Sequence, residues 1–183
     1  RKEKRNKNNG ALIWVATSNP TSNWESAHSV TVDDTGVYIA GYKGGIEEMW
    51  IEKRNKNDGN LIWATSSGNG VAFSIAIDNS NIYVVGYHHT PDYGIVWRTE
   101  KRAKDNGILV WGVTSSLFDG GAAYSVTVDN EYIYIAGYNY ITNIITEDEE
   151  SYTYRDHIWV IEKRNKNNGA LIWVATSNPS TLT

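Results

Sequence analysis

Apolar residues along this chain fall in short runs separated by polar turns, and none of the runs keeps the 3.6-residue period of an amphipathic helix. Two patterns alternate. One reads Ser-Val/Ile-x-Val/Ile-Asp, a turn, then Tyr-Ile/Val-Ala/Val-Gly-Tyr, from Ser29 to Tyr42, Ser74 to Tyr87 and Ser125 to Tyr138. The other reads Glu-Lys-Arg, a polar turn ending in Gly, then x-Leu/Ile-x-Trp, from Glu3 to Trp14, Glu52 to Trp63, Glu100 to Trp111 and Glu162 to Trp173. β-Branched and aromatic residues dominate the runs, which predicts strands. Each module therefore reads as two strands. In chain order they are strand a (Ser-Val), b (Tyr-Gly-Tyr), c (Glu-Lys-Arg) and d (Leu-Trp).

The turns carry their own signals. Asn9-Gly10, Asp58-Gly59, Asn106-Gly107 and Asn168-Gly169 join c to d, and such dipeptides between apolar runs predict hairpins with two-residue type I′ turns. Asp33, Asp78 and Asp129 close strand a, where a carboxylate can accept from the backbone beyond it and start a turn. The d strands are apolar on both faces, which predicts burial on both sides.

A four-strand set recurring at about 50 residues is the signature of a repeat architecture, in which a unit cannot cover its own apolar faces and must stack on a neighbour. The expected fold is all-β: β-propeller blades of four antiparallel strands. The division is an N-terminal two-stranded half blade at 1–25, then blades at 26–68, 69–118 and 119–183. The last blade holds an insertion, Thr142 to Asp156, expected to be a solvated loop around the acidic run Glu147-Asp148-Glu149-Glu150. Residues 3–20 and 162–179 are identical, whereas the other copies have diverged. Three blades and a half do not close a ring, so completion is expected from further copies of the same chain or from adjacent repeats, with domain swapping, a closed oligomer or a filament as outcomes.

Ser-Val-Thr-Val-Asp, Val-Tyr-Ile-Ala-Gly-Tyr, Trp-Ile-Glu-Lys-Arg and Gly-x-Leu-Ile-Trp together resemble the bacterial and archaeal β-propeller repeat family of seven-bladed type. The Gly-x-x-x-Trp spacing is similar to the tryptophan-docking motif of quinoprotein-like propellers. The quinoprotein likeness stops there, because no adjacent cysteine pair exists and Asn-rich turns stand where Asp and Thr precede the glycine. The resemblance implies a propeller and no quinone. It implies no particular activity, since propellers host many.

Composition narrows the partners. A formal charge of −4 lacks the basic excess that nucleic acid requires. No apolar stretch approaches the ~18 residues of a membrane span, so no membrane insertion is expected. There is no cysteine, which excludes disulfides and thiolate chemistry. Trp 8 and Tyr 12 against Phe 2 favour side chains with an apolar body and a polar tip, suited to wet interfaces. With the resemblance, this makeup places the protein outside the cell or on its surface.

Candidate chemistry is weighed against that scaffold. Glu3, Glu52, Glu100 and Glu162 would form a set of carboxylates, but each lies two residues before Arg5, Arg54, Arg102 or Arg164, which predicts structural pairing. His88-His89, near Asp92 and Tyr93, lacks converging ligands, so no metal and no cofactor are assigned. Ser29, Ser74 and Ser125 are expected to line a channel. Trp14, Trp63, Trp111 and Trp173 are expected to pack. The leading function is a non-enzymatic structural, self-assembly or protein-interaction surface, with Glu3, Arg5, Trp14, Glu162, Arg164 and Trp173 marking the two assembly hairpins. The alternative is a carbohydrate-binding propeller that stacks glycans on Tyr42, Tyr87 and Tyr138. A carboxylate-using or metal-dependent enzyme is third.

Overall fold

The computed structural model describes residues 1–92, 94–115, 119–147 and 150–177, with the backbone alone at 145–147, 150 and 151. Its regular structure is all β, thirteen strands among the described residues in three sheets. β1 (Lys2–Arg5) and β2 (Leu12–Ala16) form a separate hairpin. β3 (Ser26–Val32), β4 (Val37–Lys43), β5 (Glu48–Arg54), β6 (Leu61–Ile77), β7 (Asn81–Thr90), β8 (Gly94–Ala103) and β9 (Leu109–Ser115) form a seven-stranded sheet. β10 (Gly121–Val128), β11 (Tyr132–Glu147), β12 (Glu150–Asn165) and β13 (Leu171–Ser177) form the third. Neighbouring strands within each sheet pair in sequence order, antiparallel throughout.

The expectation of separate four-stranded blades is corrected here. β6 runs without interruption from the end of one strand set into the start of the next, so two sets share one sheet, and the three sheets do not close into a ring. Its first part pairs with β5 as far as Asn69↔Glu48, and from Gly70↔His88 onward it pairs with β7. Thr65-Ser-Ser-Gly-Asn-Gly-Val contains no proline and no charge, so nothing stops the strand. Gly68 and Gly70 let it turn against β7, since a Cβ at either would stand 2.9 or 2.7 Å from the His88 ring. At the equivalent place before β3, Pro20 removes an amide and Glu25 accepts from the Thr21 amide, which breaks the strand. We use first unit for β3 to Asn69, second unit for Gly70 to β9, and third unit for β10 to β13.

Two further expectations change. The c–d turns are hairpins, but the loop holds four residues rather than two: Asn55 N–H donates to the Asn60 carbonyl, and Gly59 N–H to the Asn55 carbonyl. Asn55 Oδ1 accepts from Asn57 N–H and Asp58 Oδ1 from Asn60 N–H, so side-chain caps take the place of a type I′ backbone. Only the closing glycine needs the left-handed region, at φ 77° for Gly59 and 75° for Gly107. The insertion 142–156 is a ribbon and not a loop, because β11 and β12 stay paired from Tyr132↔Asn165 to Glu147↔Glu150. Its β-branched and aromatic residues continue the ladder; Asp148 and Glu149 of the acidic run lie outside the described residues.

The hydrophobic core lies between units. Tyr38, Ala40, Met49 and Ile51 of the first unit pack on Ala72, Ile75, Ile82 and Val84 of the second. Tyr83, Val85 and Trp97 of the second pack on Ala123, Val126, Ile133, Ile135, Ile158 and Val160 of the third. Strand alternation supplies one set to each face, so every unit has a leading face and a trailing face. The d strands were expected to be buried on both sides, yet Leu12, Ile13, Leu61, Ile62, Leu109 and Val110 are about half exposed. Their inward contacts are made by Trp14, Trp63 and Trp111, and beyond them by Ser18, Ser67 and Ser115.

Candidate functional site

The joint between successive units is built from the same residues each time. On strand c, the Arg54 and Arg102 Nε–H groups donate to Glu52 and Glu100 at 2.8 Å, and Arg164 does so to Glu162 at 2.7 Å. Each guanidinium also donates at 2.9 Å to the carbonyl of its own turn glycine, Gly59, Gly107 or Gly169. The pair thus locks the c–d hairpin, and the carboxylate's other oxygen faces the preceding unit. There it accepts from a serine at the end of strand d: Ser18 to Glu52, Ser67 to Glu100 and Ser115 to Glu162. Burial presses the Glu52 carboxyl upward, but donation from Arg54, Lys2, Ser18 and Trp50 outweighs it and holds the group at about 2. Burial likewise opposes ionisation of Glu100, and Arg102, Ser67 and Arg98 hold it below the usual carboxylate range.

Tryptophan makes the second contact. Trp14 lies on Gly59, Trp63 on Gly107 and Trp111 on Gly169, so close that a Cβ on the glycine would meet the ring at 2.8, 2.9 and 3.0 Å. Trp14 Nε1–H donates at 3.2 Å to the Lys56 carbonyl, and Trp111 Nε1–H at 3.4 Å to that of Lys166. Lysines on strand c reach the same turns: Lys4 to the Lys56 carbonyl, Lys53 to that of Lys104 and Lys101 to that of Lys166. Trp63 differs from Trp14 and Trp111, since its Nε1–H is buried with no hydrogen-bond partner among the described residues.

Three features escaped sequence reasoning. Turn lysines bridge the units, Lys104 to Asp33 at 2.7 Å and Lys166 to Asp78 at 2.9 Å. The signal was present, since a lysine stands four residues after each glutamate and an aspartate ends each strand a. Second, Ser29 and Ser74, expected to line a channel, accept from the Ile75 and Val126 amides of the following unit, both at 3.3 Å, and so join successive units. Third, a β-bulge in each strand a thrusts out one extra residue, His28, Phe73 or Tyr124. These three rings pack from unit to unit, His28 stacked on Phe73 with centroids 5.2 Å apart and Phe73 tilted against Tyr124 at 4.8 Å.

The tyrosines proposed for sugar stacking belong to that column. Tyr42 packs edge-on to His28, Tyr87 against Phe73 and His89, and Tyr138 against Tyr124, Tyr140 and His157. All three are half-buried. The two adjacent histidines diverge: His88 Nε2 lies 3.2 Å from the Ser67 carbonyl, while His89 sits beside Tyr87, and Tyr93 lies outside the described residues. Among the described residues no three His, Asp or Glu side chains gather as a metal site.

The assembly hairpins differ in setting. Glu3–Arg5 at 2.7 Å is solvent-facing, and Glu162–Arg164 is buried. Trp14 is docked, whereas Trp173 is 42% exposed and no glycine turn lies against it among the described residues. No protein-family model matches the chain, and no curated protein matches it.

Proposed function

We propose that this protein is a non-enzymatic repeat module of β-propeller type, whose task is to present a surface for assembly with further copies or repeats. The blade reading is supported by the a-b-c-d order of each antiparallel set and by joints that repeat from one unit to the next. An extracellular or cell-surface setting goes with the family resemblance and the aromatic, amide-rich makeup.

One observation carries the assembly reading. The residues that are covered at the trailing faces of the first and second units are uncovered on the third. Met49 and Trp97 are 0% and 1% exposed, and their equivalent Trp159 is 67% exposed; Ile51 is 0% exposed and Ile161 45%. Trp159 and Ile161, together with Tyr124, Ala136 and Tyr138, line a largely apolar hollow of about 420 Å³. An apolar patch of this kind on a protein surface marks an interaction site. Sedimentation velocity over a wide concentration range tests it: a concentration-dependent oligomer is expected, and a monomer at every concentration would sink the reading.

A further inference from the structure

We propose that the third unit of one molecule docks on the first unit of a second molecule, and that in doing so it displaces the second molecule's β1–β2 hairpin. This rests on the assembly reading above and specifies its surface, partner and register.

The exposed trailing face has a counterpart. On the leading faces of the second and third units Ala72, Ile75 and Ile82, and Ala123, Val126 and Ile133, are buried. On the first unit the equivalent Ala27 and Val30 are exposed and Val37 is only half-buried. A cleft of about 260 Å³ lies there between β1–β2 and the first unit, lined by Trp14, Ala27, Val30, Val37 and Ile39. Two strands occupy a seat that elsewhere holds four.

The contacts that residues 3–18 make with that seat can be reproduced by the third unit, because residues 162–177 are identical to them. Trp173 stands for Trp14 on Gly59, Lys163 for Lys4 on the Lys56 carbonyl, and Ser177 for Ser18 on Glu52. Lys2 is the exception: it donates to Glu52 at 2.8 Å, and the third unit has Ile161 in its place. The third unit adds contacts the hairpin lacks. Trp97 of the second unit lies on Gly137 and donates Nε1–H to the Tyr138 carbonyl at 2.9 Å. Trp159 would lie in the same way on Gly41 and donate to the Tyr42 carbonyl. Charge agrees as well. Asp33 and Asp78 each receive a lysine from the following turn, but among the described residues no lysine forms an ion pair with Asp129. The first unit's turn lysine, Lys56, has no preceding aspartate of this kind and rests on the solvent-exposed Asp34 at 3.1 Å. Asp129 and Lys56 are the two halves of one missing bridge.

The topology also decides which of the identical hairpins moves. β12 is zipped to β11 along the whole ribbon, from Tyr132↔Asn165 to Glu147↔Glu150. β1 and β2 pair only with each other. Displacement therefore frees β1–β2 and leaves the third unit intact.

Equivalent tryptophans should then behave oppositely in the full chain. Trp173→Ala removes a docking side chain and should weaken self-association by about tenfold or more, the scale of a single buried anchor. Trp14→Ala weakens the competitor and should strengthen it by a similar factor, read by sedimentation of the same chain. A Trp14→Ala chain that associates as poorly as Trp173→Ala overturns the displacement. A second pair guards against misfolding: Lys56→Gln and Asp129→Asn are surface changes, and the second retains a side-chain oxygen for the Glu131 and Tyr132 amides that donate to Asp129. Each should weaken association and the double variant should weaken it no further; additive losses overturn the register. Association indifferent to all four changes refutes the docking while the assembly reading stands, whereas a monomeric unmodified chain removes both.

Discussion

The Glu-Lys-Arg sequence places a carboxylate beside a guanidinium in each of its copies, but the surroundings differ. Glu100 is fully buried between Arg98, Arg102 and Ser67, so Glu100→Gln strands two guanidinium groups without a counter-charge and is expected to cost about 3–5 kcal/mol in chemical denaturation. Glu3 makes its pair in solvent, and Glu3→Gln should leave the midpoint unchanged. Acid acts on the same groups. The folded Glu52 carboxyl titrates near 2 against an ordinary 4.5, so its contribution is whole above about pH 4.5 and fades as pH falls toward 2. Glu100, also shifted down, acts in the same direction. Thermal melts should therefore be flat above that range and drop steeply within it, and an unchanged Tm at pH 3 would contradict the buried pairs.

At the scale of the elements, the turn and its tryptophan form one device. Gly10 and Gly107 share a left-handed φ of 70° and 75°, but a Cβ on Gly10 meets nothing within 4 Å while one on Gly107 meets Trp63. Gly107→Ala should thus be more destabilising than Gly10→Ala by about 1–3 kcal/mol, the usual range for overpacking, as measured by paired urea titrations. Strand identity was legible from the alternation and the hairpins from Asn-Gly and Asp-Gly, because both depend on neighbours in sequence. Turn length was not, because the Asn55 and Asp58 caps compete with a type I′ backbone and win by satisfying amides two residues on. The continuity of β6 was equally hidden: the absence of proline and charge permits a strand that changes partner at Asn69 and Gly70, but Ser-Ser-Gly-Asn-Gly also has the composition of a turn. The candidate site was half legible. Glu–Arg pairing follows from spacing along one strand, whereas the Ser–Glu and Lys–Asp bridges join residues at least 33 positions apart and emerge only when units stack.

Over the whole molecule, stability should be graded from one end to the other. The two buried clusters lie on either side of the second unit. β7 enters both, through Ile82 and Val84 on one face and Tyr83 and Val85 on the other, while β8 enters one through Trp97 and is tied to the first unit by the Ser67–Glu100 hydrogen bond. β1–β2 contributes no residue to either cluster. Hydrogen exchange is expected to find the slowest amides in β7 and β8 and the fastest strand amides in β1 and β2, opening independently of the rest. Uniform protection across all strands would show instead that the hairpin belongs to the same cooperative block.

The short connection from Ala16 to Ser26 keeps β1–β2 permanently close to its seat. A tethered occupant competes at an effective concentration of the order of millimolar, so a visiting molecule must exceed it through Trp159 and the Asp129 carboxylate rather than through the shared hairpin contacts. Dilute molecules would stay plugged by their own N-terminal arm, and joining would set in above a threshold that single residues at either end could raise or lower. Latency of this sort needs no ligand, modification or chaperone; it is a property of carrying the same hairpin twice.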